Sequence, residues 1–180
     1  MALPNVVLPF GLRDVKLTPI NADGTLDSAN KQDLPAARVF KFKETEDFET
    51  LEGDDTTIAS HGKGPLIEWE LEGGGISFAA WRVMAGGTIT NTGTTPAQSR
   101  KFSKKTTDAR PYFQVEGQAI SDSGGDFHGV VYRCKADGDL EAGNENGNFT
   151  LTKASGKGYG DLTTGELYDF VHNETVTPIA

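Results

Sequence analysis

Apolar and polar residues alternate with a period of two over long stretches of this chain. In residues 66–72, Ile67, Trp69 and Leu71 fall on one face and Glu68, Glu70 and Glu72 on the other. Residues 38–43 repeat the pattern, with Phe40 and Phe42 opposed to Lys41 and Lys43. In residues 112–118, Phe113 and Val115 are set against Gln114, Glu116 and Gln118. Residues 127–135 can turn Val130, Tyr132 and Cys134 inward and Arg133 and Lys135 outward. Successive side chains of a strand point to opposite faces, so each stretch predicts a strand with one packed and one wet face. That is antiparallel behaviour. Residues 12–18, 148–153 and 167–171 are further strand candidates, and Ser121-Asp122-Ser123-Gly124-Gly125 joins two strands as a hairpin.

One short helix interrupts the strands. Ser77 can cap it, Phe78, Trp81, Met84 and Ala85 share a stripe at helical spacing, and Gly86-Gly87 stops it. The stripe reads as core packing against a sheet. Composition agrees with many short strands joined by turns: glycine numbers 22 of 180 residues, against a usual share of about 7%. A single all-β domain over residues 1–180 follows, an antiparallel sandwich or partial barrel with one flanking helix. Within it, residues 1–11 and 173–180 read as terminal arms.

Charge changes the picture at one place. The chain carries 26 acids and 17 bases, a formal charge of −9. Seven of the acids, Glu44, Glu46, Asp47, Glu49, Glu52, Asp54 and Asp55, crowd into residues 44–55 without a base. The other 19 acids nearly balance the bases. So polar a segment, continued to residue 61, reads as a mobile assembly loop between two strands. Its complement is the basic patch of Arg100, Lys101, Lys104 and Lys105. In stacked copies the two can meet head to tail, with Glu46, Asp47 and Glu49 supplying charge and Phe48 and Leu51 apolar anchors. The acidic balance excludes a protein that grips nucleic acid through its phosphates, which needs a basic face.

Motifs for chemistry are absent or incomplete. Residues 137–148 put Ala142 and Asn148 where a calcium loop needs glycine and an acid. Gly156-Lys157-Gly158-Tyr159-Gly160 lacks the phosphate-loop spacing, and Gly73-Gly74-Gly75 reads as a joint between strand and helix. His61, His128 and His172 are scattered, with no nucleophile elbow or His-Glu-x-x-His pattern. Cys134 is the lone cysteine and reads as buried and inert. No apolar run approaches the ~20 residues that span a bilayer, and the start of the chain lacks the basic and apolar regions of a signal peptide. The sequons at Asn148 and Asn173 then read as accidental. The expectation is a non-enzymatic protein without cofactor or metal.

Several stretches taken together resemble one family. They are Leu8-Pro9-Phe10-Gly11-Leu12-Arg13-Asp14-Val15, Leu34-Pro35-Ala36-Ala37-Arg38, and Glu44-Thr45-Glu46-Asp47-Phe48-Glu49 through Gly53-Asp54-Asp55. Further on come Glu68-Trp69-Glu70-Leu71-Glu72 with its three glycines, Asp108-Ala109-Arg110-Pro111-Tyr112-Phe113, and Tyr168-Asp169-Phe170-Val171. The arrangement is similar to the major tail protein, or tail tube subunit, of long-tailed phages that infect actinobacteria. The likeness runs from about Leu3 to Thr175.

The resemblance implies a β-sandwich, six copies to a ring, and rings stacked into the non-contractile tail tube that conducts phage DNA into the host. It implies a virion location after synthesis in the bacterial cytoplasm. The implied partners are the chain itself and the tail tip, tape measure and tail terminator proteins, with DNA passing unbound and no membrane contact. Four strands from each of six copies close a barrel of about 48 Å backbone diameter, from strand spacing and tilt. The lumen drawn from the alternating strands is lined by Lys41, Lys43, Glu68, Glu70, Glu72, Gln114, Glu116, Gln118, Arg133 and Lys135. The competing reading of the residues is a monomeric β-sandwich binding or virion-decoration module, which needs an exposed aromatic platform.

Overall fold

Residues 6–179 are described by the structure, a computed structural model. The chain order is β1 (Pro9–Pro19), β2 (Gln32–Asp33), β3 (Ala37–Thr45), β4 (Phe48–Gly53), β5 (Thr56–Gly62), β6 (Leu66–Gly74), α1 (Phe78–Ala85), β7 (Thr88–Thr92) and β8 (Ser99–Ser103). It continues through β9 (Phe113–Ser121), β10 (Asp126–Lys135), β11 (Leu140–Ala142), β12 (Leu151–Tyr159) and β13 (Tyr168–Asn173). The expected all-β fold with a single α-helix is present among the described residues. The first five residues of the expected N-terminal arm, and Ala180 of the C-terminal one, lie outside them. Residues 9–11 of that N-terminal arm already belong to β1.

Nine strands form one antiparallel sheet in the order β2-β1-β9-β10-β12-β6-β3, with β11 on β12 and β13 on β10. This sheet folds back on itself, so that β3 lies across β9 and β10. Gly117 of β9 shows why: a Cβ there would collide with the Phe40 ring of β3. Ile67, Trp69, Leu71, Val15, Leu17, Phe113, Val115 and Val131 fill the space between the two halves. The Trp69 and Phe113 rings meet edge-on at 5.6 Å. The β9–β10 hairpin expected from the turn at residues 121–125 is formed, and β3 pairs with β6.

Helix α1 begins where Ser77 caps it, its hydroxyl accepting from the Ala80 N–H at 3.3 Å, and it ends at Gly86. Ala80, Val83, Met84 and Ala85 are buried. Of the expected stripe, Met84 and Ala85 are buried, while Phe78 and Trp81 are half-buried, Trp81 against the core.

Strand β10 corrects one expectation. Val130, Tyr132 and Cys134 were assigned inward by strict alternation. The ladder with β9 slips between Val131 and Cys134, so Val131 and Cys134 both face the core. Such an extra residue in one strand shifts the face of everything after it. The segment of residues 44–61 is a second correction. It is no structureless loop but the hairpin β4–β5, paired from Phe48↔Gly62 to Gly53↔Thr56 and turned at Asp54 and Asp55, both with positive φ.

Candidate functional site

Three surfaces hold the residues singled out by the sequence. The first is the outer face of β3, β6, β12 and β11. Register sets Lys43, Glu68 and Lys157 in one row across three strands, then Lys41, Glu70 and Ser155, then Val39, Glu72 and Lys153. Lys43 Nζ lies 2.7 Å from Glu68, Lys41 Nζ 3.6 Å from Glu70, and Arg38 Nε 3.6 Å from Glu72. The Lys43 bond and charge lower the pKa of Glu68, and Glu68 raises that of Lys43. Glu141 of β11 sits opposite Lys153.

The face therefore carries five bases (Arg38, Lys41, Lys43, Lys153, Lys157) and four acids (Glu68, Glu70, Glu72, Glu141). It is a checkerboard, not an acidic wall. Lys153 and Lys157 are absent from the expected lining because the strand candidate stops at residue 153, whereas β12 runs from Leu151 to Tyr159. Their spacing about Ser155 was the available signal.

Arg133 and Lys135 are half-buried and lie over the Tyr112 ring, 4.1 and 4.9 Å from its centroid. Lys135 pairs across the ladder with Lys157, at the end of the first row.

The second surface is the outer face of β9 and β10, and it corrects the lumen drawing. Gln118 is 2% exposed and Gln114 9% exposed, so this face is not wet. Glu116 accepts from His128. Since the sheet doubles over, the β9–β10 outer face looks away from the β3–β6 outer face. The ten residues drawn around one lumen thus belong to two opposite sides of the subunit, and Gln114, Glu116 and Gln118 leave the set. At the Gln118 end the C-terminal segment after β13 meets this face: the Thr177 N–H donates to Asp126, and Gln118 donates to the Thr177 carbonyl. Residues 174–178 of the expected C-terminal arm stay exposed while hydrogen bonds at Asn173 and Thr177 tie the segment to the sheet, and Ile179 is 7% exposed.

The third surface is the β4–β5 hairpin. Phe48, Leu51 and Ile58 are 62%, 61% and 65% exposed, and no residue of either strand is buried. Phe48 and Leu51, expected as joint anchors, lie three residues apart on one strand and so point to opposite faces. Ile58, which the sequence reading passed over, sits against Gly53 on the face of Leu51. Glu49 is paired with Lys63 at 2.6 Å, and Glu46 lies against Gly62. Asp47 lends its carbonyl to the Lys63 N–H.

The basic patch is not one patch. Arg100 and Lys101 are neighbours on β8 and take opposite faces, Arg100 donating to Asn91 at 2.9 Å. Lys104 is folded back, its ammonium donating to the Ala85 and Asp108 carbonyls at the end of α1. Lys105 is in the turn held by Asp108. A cluster by sequence becomes four separate environments.

The histidines are far apart in role: His61 lies on exposed β5, His172 Nε2 donates to the Gly124 carbonyl, and His128 is buried beside Asp126 and Glu116. Cys134 is fully buried, and burial pushes its thiol pKa well up. No group of three or more His, Cys, Asp or Glu side chains among the described residues could hold a metal ion. No described helix is long and apolar enough to cross a membrane. No family model matches the chain, and no curated protein matches it.

Proposed function

We propose that the chain is a structural virion protein whose hexameric rings stack into the tail tube that conducts phage DNA. The observation that carries this reading is the β4–β5 hairpin, taken with the resemblance that runs along nearly the whole chain. A two-stranded hairpin is marginal in water by itself, and this one offers Leu51 and Ile58 to solvent at its outer half. Such a projection is stabilised by a second copy. Because the hairpin and the surface that receives it differ, the contact is head to tail and propagates.

The lumen is formed by β11-β12-β6-β3, four neighbouring strands in the sheet. It retains Lys41, Lys43, Glu68, Glu70 and Glu72 and gains Arg38, Lys153, Lys157 and Glu141. Six such sets still make a barrel of about 48 Å. Alternating charge suits a conduit, since each base is held near an acid and is poorly placed to release counterions from DNA. The tail tip, tape measure and tail terminator proteins are the further partners of this reading, and the virion its location.

Electron microscopy of the purified chain tests it. Wild type at high concentration is expected to form rings or tubes, and the double variant Leu51→Asp with Ile58→Asp only single subunits of unchanged circular dichroism. Tubes from the variant, or single particles from wild type at every concentration, would count against the proposal.

A further inference from the structure

The outer face of β9 and β10 buries more charge than packing needs. Asp126 is fully buried, and its carboxylate accepts from four groups: Gln118 Nε2, Asn173 Nδ2 at 2.9 Å, the Thr177 N–H at 2.8 Å, and His128 Nε2 at 3.1 Å. Two of those donors, Asn173 and Thr177, bracket the segment that crosses the face. The path is tight: a Cβ on Gly125 would collide with the Asn173 carbonyl, and Gly125 has φ +69°. Gln118 adds a second tie, donating to the Thr177 carbonyl at 3.0 Å. One carboxylate and one amide thus meet at Thr177 to hold the segment.

His128 stands behind that carboxylate with both ring nitrogens engaged by acids. Nδ1 is 2.8 Å from Glu116 and Nε2 is 3.1 Å from Asp126. A neutral imidazole has a single N–H and a lone pair on its other nitrogen, while an ionised carboxylate only accepts. Two carboxylates flanking one ring therefore need the imidazolium, which donates to both. We propose that residues 174–179 form a proton-dependent latch, closed when His128 is charged and loosened when it is neutral.

The surroundings favour the charged ring. Burial lowers the pKa of His128, but the bonds and charges of Glu116 and Asp126 outweigh it and raise the value above the ordinary 6.5. On β1, Lys16 faces Glu116 and Asp14 faces Gln118. Lys16 is itself held by Asp14 at 3.2 Å and Asp33 of β2 at 3.3 Å, which leaves Glu116 to His128. On β13, Val171 lies opposite His128, and Asp169, opposite Val130, accepts from Tyr132. On the segment itself the ionisable side chain is Glu174.

When the ring loses its proton, one of its two contacts becomes acceptor against acceptor. A group whose folded pKa is raised contributes fully below its unfolded value and is lost as pH rises through the folded one. The latch is thus tight below the ordinary histidine range and loosens as pH rises through the raised His128 value. Each pKa unit between latched and released forms is a tenfold change in the latch equilibrium.

The test is nuclear magnetic resonance on the full chain. Below pH 6.5 both ring nitrogens of His128 are expected to be protonated, with a titration midpoint above that of a free histidine. The Thr177 amide protection factor, corrected for intrinsic exchange, should fall about tenfold along the same titration. Glu116→Gln, which removes one charge and keeps the shape, should move both midpoints to lower pH together. A neutral ring below pH 6.5, or Thr177 protection that stays flat through the His128 titration, would overturn the proposal. So would a Glu116→Gln midpoint that moves for the ring alone.

Discussion

Two antiparallel strand pairs of this molecule look alike on paper and end in opposite situations. The β4–β5 hairpin and the β9–β10 pair are both antiparallel and both carry acids among polar residues. In β4–β5 every large side chain is exposed, and neither face has cover within the subunit. In β9–β10 one face meets the core and the other is tied to the C-terminal segment at Asp126 and Gln118, and Glu116, Gln118, Asp126 and His128 form one hydrogen-bonded network. Alternation reveals the pleat of a strand. It does not reveal what lies over the polar side, because that cover comes from residues more than fifty positions away.

Breaking the network should produce the largest effect. Asp126→Ala leaves Gln118, Asn173, the Thr177 amide and the His128 ring without their acceptor. Removing one partner of a buried charged cluster costs about 3–5 kcal/mol, to be read as a lowered urea midpoint. The same carboxylate sets an acid limit. Burial raises its pKa, yet the Thr177, Gln118, Asn173 and His128 bonds outweigh that and hold it at about 2. Because this value is depressed, its stabilisation is complete above the unfolded carboxylate range and fades as pH falls toward 2. Acid unfolding followed by circular dichroism should shift to higher pH in Asp126→Asn.

The hairpin should answer in the opposite sense. Leu51→Asp with Ile58→Asp removes no buried contact, so the urea midpoint should change by at most about 0.5 kcal/mol while assembly is lost. A large loss of subunit stability would show that the hairpin packs on the body after all.

How much of this was legible follows from the same contrast. The β3, β6, β9 and β10 strands, their pairing and helix α1 could be read because local period and caps determine them. Residues 44–61 hid a hairpin because acids mask the strand signal, and the paired positive-φ aspartates at 54 and 55 stand where turn glycines would be sought. The inward set of β10 was misplaced by a single slip in register. The lumen set was divided because the sheet closes on itself through Gly117 and Phe40, a long-range contact with no local trace.

Two smaller changes sharpen the picture. Ser77→Ala should cost about 1 kcal/mol through the lost helix cap, measured by thermal melting. A double-mutant cycle on Lys43 and Glu68 should give no more than about 1 kcal/mol, since the pair is exposed. A larger coupling would mean that this face is desolvated in the isolated subunit.

The central claim is that the Lys–Glu checkerboard of β3, β6, β12 and β11 lines a tube built from six copies per ring. Cryo-electron microscopy of assembled particles tests it most directly. A six-fold hollow tube is expected, with Lys41, Glu70 and Lys153 facing the axis and the β4–β5 hairpin reaching the next ring. A tube with those residues turned away from the axis, or particles that hold one 19.3 kDa subunit under all conditions, would contradict it.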